Sequence, residues 1–396
     1  MCPLNSGCTP LRIHVIAGAR ASFAKVAPIL RAMAKRDDLF APMLIHTAQD
    51  CGREMSEVFC RELGISSPDF HLGVGSGTYA QQCARIMCTY EDICRREAAQ
   101  LVIVVGDMNA TVACSIVAKK VGMDVAHVEA GLRSGDWNTP EEVNRVMTDS
   151  VADLCFTTEP NAVANLRREG KAPEQIYQVG HVIVDNLLHL LEELECLGSP
   201  PVKSSIVKQA HRCYAVLTLN RPANTDDPNA LREITEAIRR VSERIPVIFP
   251  IHPRVRQRVE ELNLDFGSRT EMTPPMSFID FVDLWKDAKC VLTDSGGLQE
   301  ETTALGIPCL TLRDVTERPI TLSEGTNRLV GRSCTAIVSA VDDILDGNCR
   351  LGRRPPLWDG LASERIVEAL AGRYFSGRSS NSAIASLSGA RSGIRR

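Results

Sequence analysis

Short uninterrupted apolar runs alternate along this chain with longer stretches whose apolar residues recur every third or fourth position. In the first half the runs are RIHVIAG (12–18), PMLIHTA (42–48), LVIVVGD (101–107), VAHVEAG (125–131), LCFTT (154–158) and IYQVG (176–180). Between them lie helical patterns such as FAKVAPILRAMAKR and NATVACSIVAKKVG. Continuous apolar strands separated by amphipathic helices predict a parallel sheet covered on both faces. The alternation breaks at GSPPVKSS (198–205) and restarts with YAVLTLN (214–220), IPVIFPIHP (245–253), CVLTDSGG (290–297) and IPCLTLRD (307–314). The expectation is an α/β protein of two Rossmann-like, doubly wound domains with a cleft between them, divided into 1–197 and 198–360. The Ser-, Gly- and Arg-rich end, 377–396, is expected to be a disordered tail.

Composition adds mainly exclusions. At 396 residues the chain is long for one core, and 44% hydrophobic with 24% charged residues fits a globular protein. A net charge of −4 with the signs interspersed gives no electrostatic case for nucleic acid or a membrane as partner. The 15 cysteines are scattered through apolar patterns without a CxxC pair, so they read as buried free thiols in a reducing cytoplasm, with no metal site. No signal peptide or membrane-spanning run is read.

Chemistry concentrates where the apolar runs end, the position at which open α/β sheets bind ligands. HVEAGLRSGDWNTPEEVNR (127–145) carries Glu129 at a strand end, and TPEE opens a helix. Thr139, Pro140 and Glu142 fit a capping box, which explains Glu142 as structural and leaves Glu141 free in the first turn as a possible base. Asp107 stands between a buried strand and the next helix, either as an N-cap or as an acid/base group. In LTDSGGLQEETTALGIP the strand–glycine–helix turn at Ser295, Gly296 and Gly297 forms an anion site suited to phosphate. Glu300 and Glu301 follow, where a carboxylate could accept hydrogen bonds from a sugar diol. Arg20, Lys25, His252, Arg254, Arg313 and Arg318 all sit near strand ends and together suggest an anionic, phosphorylated ligand. GVGSGT (73–78) lacks the strand–helix context of a dinucleotide site.

The segments GDMNAT, HVEAGLRSGDWNTPEEVNR, LTDSGGLQEETTALGIPCLTLRDVTERP and EGTNRLVG resemble, in order and spacing, the non-hydrolysing UDP-N-acetylglucosamine 2-epimerases, from about residue 12 to 375. The resemblance implies a GT-B fold, a C-terminal helix (361–376) returning to the first domain, a homodimer and no cofactor. It also implies inversion at C2 by elimination and re-addition of UDP. By position it makes Asp107, Glu129 and Glu141 the acid/base groups, Ser295–Gly297 the diphosphate site and Glu301 the ribose contact. Arg20, Lys25 and Arg318 become sugar and phosphate contacts, and Gln49, Arg145, His181, Asn220, Arg221 and His252 complete the candidate substrate- and phosphate-binding set.

The chain departs from that pattern in three places. GARASFAK has Ala21 where relatives commonly carry proline, and TAQD has Asp50 where they have histidine. LTLNRPAN has Asn220 where the family's histidine assists departure of UDP, whereas VGHVIVDNL has His181 where relatives usually show asparagine. Asparagine neither carries charge nor releases a proton. If the two loops face each other, His181 would restore an imidazole to the site. The leading expectation is C2 inversion of a UDP-N-acetylhexosamine. The alternative is an epimerase of a sugar phosphate, for example a hexulose phosphate inverted at C3 through an enediolate, which needs no leaving group. A GT-B glycosyltransferase, a hydrolysing relative and a nucleotide-sugar binding protein complete the readings.

Overall fold

A computed structural model of the chain describes residues 9–48, 53–196, 202–350 and 352–375. The first sheet takes β1 (Leu11–Ala17), β2 (Phe40–His46), β3 (Phe70–His71), β4 (Leu101–Val105), β5 (Asp124–Val128), β6 (Leu154–Thr157) and β7 (Ile176–Gln178) in the order β3-β2-β1-β4-β5-β6-β7. The second takes β8 (Ala215–Thr218), β9 (Val247–Pro250), β10 (Thr270–Thr273), β11 (Cys290–Thr293), β12 (Cys309–Thr311) and β13 (Asn327–Leu329) in the order β10-β9-β8-β11-β12-β13. Every pairing in both sheets is parallel. In each, the chain starts in the interior and winds outward both ways, so the strand order reverses at β1 and at β8 and opens a crevice beyond their carboxyl ends.

The central strands form because nearly every side chain can be buried on one sheet face or the other. All five residues of β4, LVIVV, are buried. Apolar clusters cover both faces of the first sheet and both faces of the second. The three strands absent from the sequence reading, β3, β10 and β13, are all sheet edges. These three are short and half-solvated and lack an apolar run, whereas the fourth edge, β7, was legible as IYQVG. The runs at 245–253, 290–297 and 307–314 proved longer than their strands, because their last residues leave the sheet and enter the crevice.

Two segments tie the sheets together. Helix Val182–Cys196 contributes Val182 to the core of the first sheet and Ile183, Val184, Leu187 and Leu190 to that of the second. Beyond the second sheet the chain returns through Trp358, which donates from Nε1 to the Thr158 carbonyl at 3.1 Å. Helix Ala362–Phe375 then packs Ala362, Ile366, Val367 and Leu370 onto the first sheet. Asp185 fixes the start of that helix by accepting from Ala362 N at 3.1 Å and Ser363 N at 2.6 Å, where a carboxylate also complements the helix dipole. Gly180, at φ +94°, lets this crossing close, since a β-carbon there would stand 2.0 Å from the Leu357 carbonyl oxygen.

The sequence stretches 198–205 and 377–396 fall partly and wholly outside the described residues. No helix among the described residues is long and apolar enough to cross a membrane. The returning helix supplies a stability test. Leu370→Ala should cost about 2–5 kcal/mol in chemical denaturation, the usual range for emptying a buried leucine site. Leu361→Ala, just outside the helix at an exposed position, should cost under about 0.5 kcal/mol.

Candidate active site

The carboxyl ends of both sheets line one cavity of about 650 Å³. From the first sheet, Lys25, Asp107, Glu141 and Arg145 reach its wall; from the second come Asn220, Arg221, His252, Ser295, Gly296, Gly297, Glu301, Arg313 and Arg318. Phe59, Leu63, Phe278 and Phe281 supply an apolar flank that the sequence reading did not anticipate. Gln49 and the side chain of Arg20 lie outside the described residues.

On the first wall Asp107 leaves β4 through Gly106 and meets Arg145, with Oδ2 2.6 Å from Nη2. Arg145 also holds Glu142 at 2.7 Å. The expected capping box does not form. The Thr139 hydroxyl instead donates to the Asp136 carbonyl, and no side chain caps the helix Pro140–Val151. Glu142 turns inward and accepts the backbone N–H groups of Ser134 and Gly135, each at 2.9 Å. Those donors and Arg145 overcome the cost of burial and hold its carboxyl below the usual range. Glu142 is structural through this clamp, which shapes the 134–135 loop and leaves Glu141 exposed toward the cavity.

Glu129 stands one layer deeper, buried, with Lys25 Nζ 2.5 Å from its Oε2. Its backbone adopts φ +70°, the left-handed region that a glutamate enters at a cost of about 1–3 kcal/mol. Its Oε1 is buried with no hydrogen-bond partner among the described residues, and Glu129 stands behind Lys25 without joining the cavity lining. Burial alone would lower the Lys25 pKa, but Glu129 and then Asp107 raise it, so the ammonium is retained.

Beneath them His127, fully buried, bridges Asp149 Oδ1 at 2.6 Å and the Gly106 carbonyl at 2.8 Å. Asp149 in turn accepts from Gly131 N at 2.9 Å. This one ring joins the ends of β4 and β5 to the helix bearing Glu141 and Arg145. Sequence reasoning placed His127 beside Glu129 without seeing the lock, because its partners lie 21 and 22 positions away.

On the second wall Ser295 occupies the N-cap of helix Gly296–Leu305 without a side-chain hydrogen bond to the turn. Ser295, Gly296 and Gly297, at the helix start, line the cavity. Gly296 permits Arg318 to close over it, since a β-carbon there would lie 2.8 Å from the guanidinium. Arg318, 6% exposed, pairs through Nε with Glu300 at 2.6 Å and through Nη1 with Glu317, and Arg313 holds Glu317 at 2.9 Å. Despite burial, Arg318 and Arg313 keep the Glu317 carboxyl far below the usual range. Asp294 is fully buried and accepts from Asn220 N, Arg221 N and Asn224 Nδ2 at 3.0–3.1 Å, so it fixes the exit of β8.

Two expectations change here. His181 does not restore an imidazole to the cavity. It is fully buried outside the lining, with Nε2 2.7 Å from Glu300 and its ring edge-on to Trp358 at 5.2 Å. The turn at Gly180 directs it between the sheets, where it braces Glu300 behind Arg318. Arg254 likewise pairs with Asp226 at 2.6 Å and stays out of the lining.

Facing C-terminal edges of two Rossmann-like sheets, with the crevice between them, define a protein of the GT-B class. Residues 32–371 match the family model described as UDP-N-acetylglucosamine 2-epimerase. The UDP-N-acetylglucosamine 2-epimerase of Methanocaldococcus jannaschii is 38% identical over 374 residues, covering 92% of this chain and 100% of that protein. Its crystal structure in complex with UDP-GlcNAc and UDP superposes with a TM-score of 0.83 at 37% identity, covering 91% and 99% of the two chains. The UDP-2,3-diacetamido-2,3-dideoxy-D-glucuronate 2-epimerase of Pseudomonas aeruginosa is 35% identical, covering 91% of this chain and 99% of that one. The chain belongs to the UDP-N-acetylglucosamine 2-epimerase family. Both named relatives act on UDP-linked sugars, so the sugar-monophosphate alternative is unsupported and is set aside.

Burial and the neighbouring Glu300 push the Glu301 carboxyl up from an ordinary 4.5 to about 7. The folded state thus binds this proton more tightly than the unfolded chain, and ionising Glu301 destabilises the fold as pH rises from about 4.5 through 7. Glu301→Gln should therefore add up to about 3 kcal/mol at pH 8 and nothing near pH 4. Denaturation curves at the two pH values check the sign.

Proposed function

We propose that this enzyme inverts C2 of a UDP-N-acetylhexosamine by eliminating and re-adding UDP. One observation carries the reading: the cavity has two chemically opposed walls, carboxylates from the first sheet and arginines with a helix start from the second. The second wall suits a diphosphate, with Ser295–Gly297 donating from the backbone and Arg318, Arg313 and Arg221 supplying charge. Glu301 suits the ribose hydroxyls, and the apolar flank suits a base.

Chemistry then falls to Asp107, Glu129 and Glu141. One of them takes the C2 proton as the C1–O bond breaks. The electron pair of that bond leaves with the phosphate oxygen, and the C2–H pair forms a C1=C2 double bond. Return of a proton to the opposite face of C2, with re-addition of UDP at C1, gives the epimer. Proton and leaving group both come back, so the sequence balances without an electron acceptor. Opposite faces require separate groups. Glu129, behind Lys25, and Asp107, beside Arg145, supply two carboxylates held by different cations. Lys25 and Arg145 position them and stabilise the charge that develops.

A homodimer in the cytoplasm belongs to the same reading. Buried free thiols at Cys60, Cys114, Cys155, Cys290 and Cys309 fit a reducing compartment, and light scattering tests the dimer.

In heavy water the inverted carbon should carry deuterium in every product molecule, read by NMR; product retaining its original hydrogen would exclude exchange through these carboxylates. Asp107→Asn and Glu129→Gln should each lower turnover at least ~100-fold, the usual contribution of a general acid or base. UDP binding measured by calorimetry should change little in either, because the nucleotide wall lies on the other sheet.

A further inference from the structure

Inversion requires carboxylates acting on opposite faces of C2, so their relative placement matters as much as their chemistry. Asp107 is held at more than its side chain. Its carboxylate meets Arg145 at 2.6 Å, and both carbonyls of the turn that carries it are occupied. The Gly106 carbonyl lies 2.8 Å from His127 Nε2, and the Asp107 carbonyl accepts from Asn144 Nδ2 at 2.9 Å.

All three holds lead to one helix, Pro140–Val151. Asn144 and Arg145 are consecutive residues on it, and Asp149, further along, grips His127 at 2.6 Å. Glu141 rises from the first turn of the same helix, one turn before Asn144 and Arg145, and lines the cavity. The helix is therefore a common mount. It bears Glu141 directly and Asp107 through side-chain contacts. Among those contacts Asn144 alone grips the main chain of Asp107, and it does so from outside the cavity lining.

Asn144 is itself held in one orientation. A backbone carbonyl can only accept, so the amide nitrogen must face Asp107. The same nitrogen stands 3.3 Å from Asn109 Oδ1. Asn109, buried, donates onward to Gln82 Oε1 at 2.9 Å, and Gln82 Nε2 donates to the Gly75 carbonyl at 3.1 Å. Three side-chain amides thus run in one direction from the Asp107 turn to GVGSGT (73–78), a stretch left without a role by its sequence. Amides aligned in this way polarise one another and stiffen the row.

We propose that Asn144 is the positioning residue that sets Asp107 against the opposing carboxylate, by tying the main chain of its turn to the helix that bears Glu141. This rests on the UDP-elimination reading. Asn144 carries no charge and exchanges no proton. Without its amide, Arg145 still pairs with the Asp107 carboxylate, but the turn loses its donor and shifts, and the opposing carboxylate keeps its place.

That asymmetry has a signature. After a proton leaves C2, a solvent-derived one either returns to the same face, which is exchange, or reaches the other face, which is inversion. Asp107 serves one face. With Asp107 out of line, the epimer deprotonated by the opposing carboxylate still exchanges but inverts slowly. The other epimer loses exchange and inversion together.

The test runs wild type and Asn144→Ala in heavy water, with UDP-N-acetylglucosamine and its C2 epimer as separate substrates and NMR as the readout. Asn144 is half-buried and alanine favours a helix, so the fold should survive. Inversion should slow about tenfold or more, toward the ~100-fold that a 1 Å misplacement costs, while UDP affinity by calorimetry is unchanged. The ratio of deuterium in recovered starting sugar to deuterium in product should rise severalfold from one epimer and not from the other. Asn144→Asp, which keeps the shape and replaces the donor by an acceptor, should skew the ratio in the same sense, and it takes the place of Asn144→Ala if that variant does not fold. Inversion within about threefold of wild type overturns the proposal. So does slower inversion with the ratio unchanged from both epimers, which would make Asn144 merely structural. Wild type that inverts no UDP-sugar fails the elimination reading itself; wild type that does so beside an unimpaired Asn144→Ala fails this inference alone.

Discussion

Everything in the cavity depends on holding two sheet edges face to face, and that is done by a crossing that the chain makes twice. Helix Val182–Cys196 buries residues in the cores of both sheets, and the segment from Trp358 to Phe375 crosses back and packs on the first. Asp185 receives the start of the returning helix, and Gly180 leaves room for the Leu357 carbonyl. His181, at the same corner, carries the constraint into the site by meeting Glu300, whose other partner is Arg318. A buried ion chain of this kind is costly to assemble, because each charge leaves water, and it holds its shape because removing one member strands another. Here it fixes the guanidinium that lies over the helix start.

The walls divide the labour by charge. On the first, Glu129 pairs with Lys25, and Asp107 pairs with Arg145, which also holds Glu142. On the second, arginines outnumber the glutamates that brace them, and Glu301 keeps its proton up to about pH 7. Such an arrangement sacrifices stability locally, in the φ of Glu129 and in the buried Glu301, for groups whose positions are settled before a ligand arrives.

How much of this was readable in the chain varies by element. The interior strands, such as LVIVV at β4, announce themselves because burial on both faces demands continuous apolar sequence. The edges β3, β10 and β13 do not, since only one side meets the core. Asp107 and Ser295 could be placed because each follows an apolar run by two residues, and a parallel sheet sends all such positions to one end. Glu142 was rightly taken as structural, but for the wrong reason: its partners are the 134–135 backbone and Arg145, and Thr139 does not cap with it. His181 was misjudged because a loop's sequence does not say to which side its first residue turns.

By itself, then, the order of residues determined the two parallel sheets, the end at which chemistry gathers and the residue types gathered there. Those follow from apolar periodicity and from the geometry of a strand that exits into a helix. Only the tertiary structure decided which of those residues meet. His127 under both carboxylate-bearing turns and His181 behind Arg318 are pairings across strands and between sheets. They are set by register and by the crossing helices, and long-range contacts of that kind leave no local pattern in a chain.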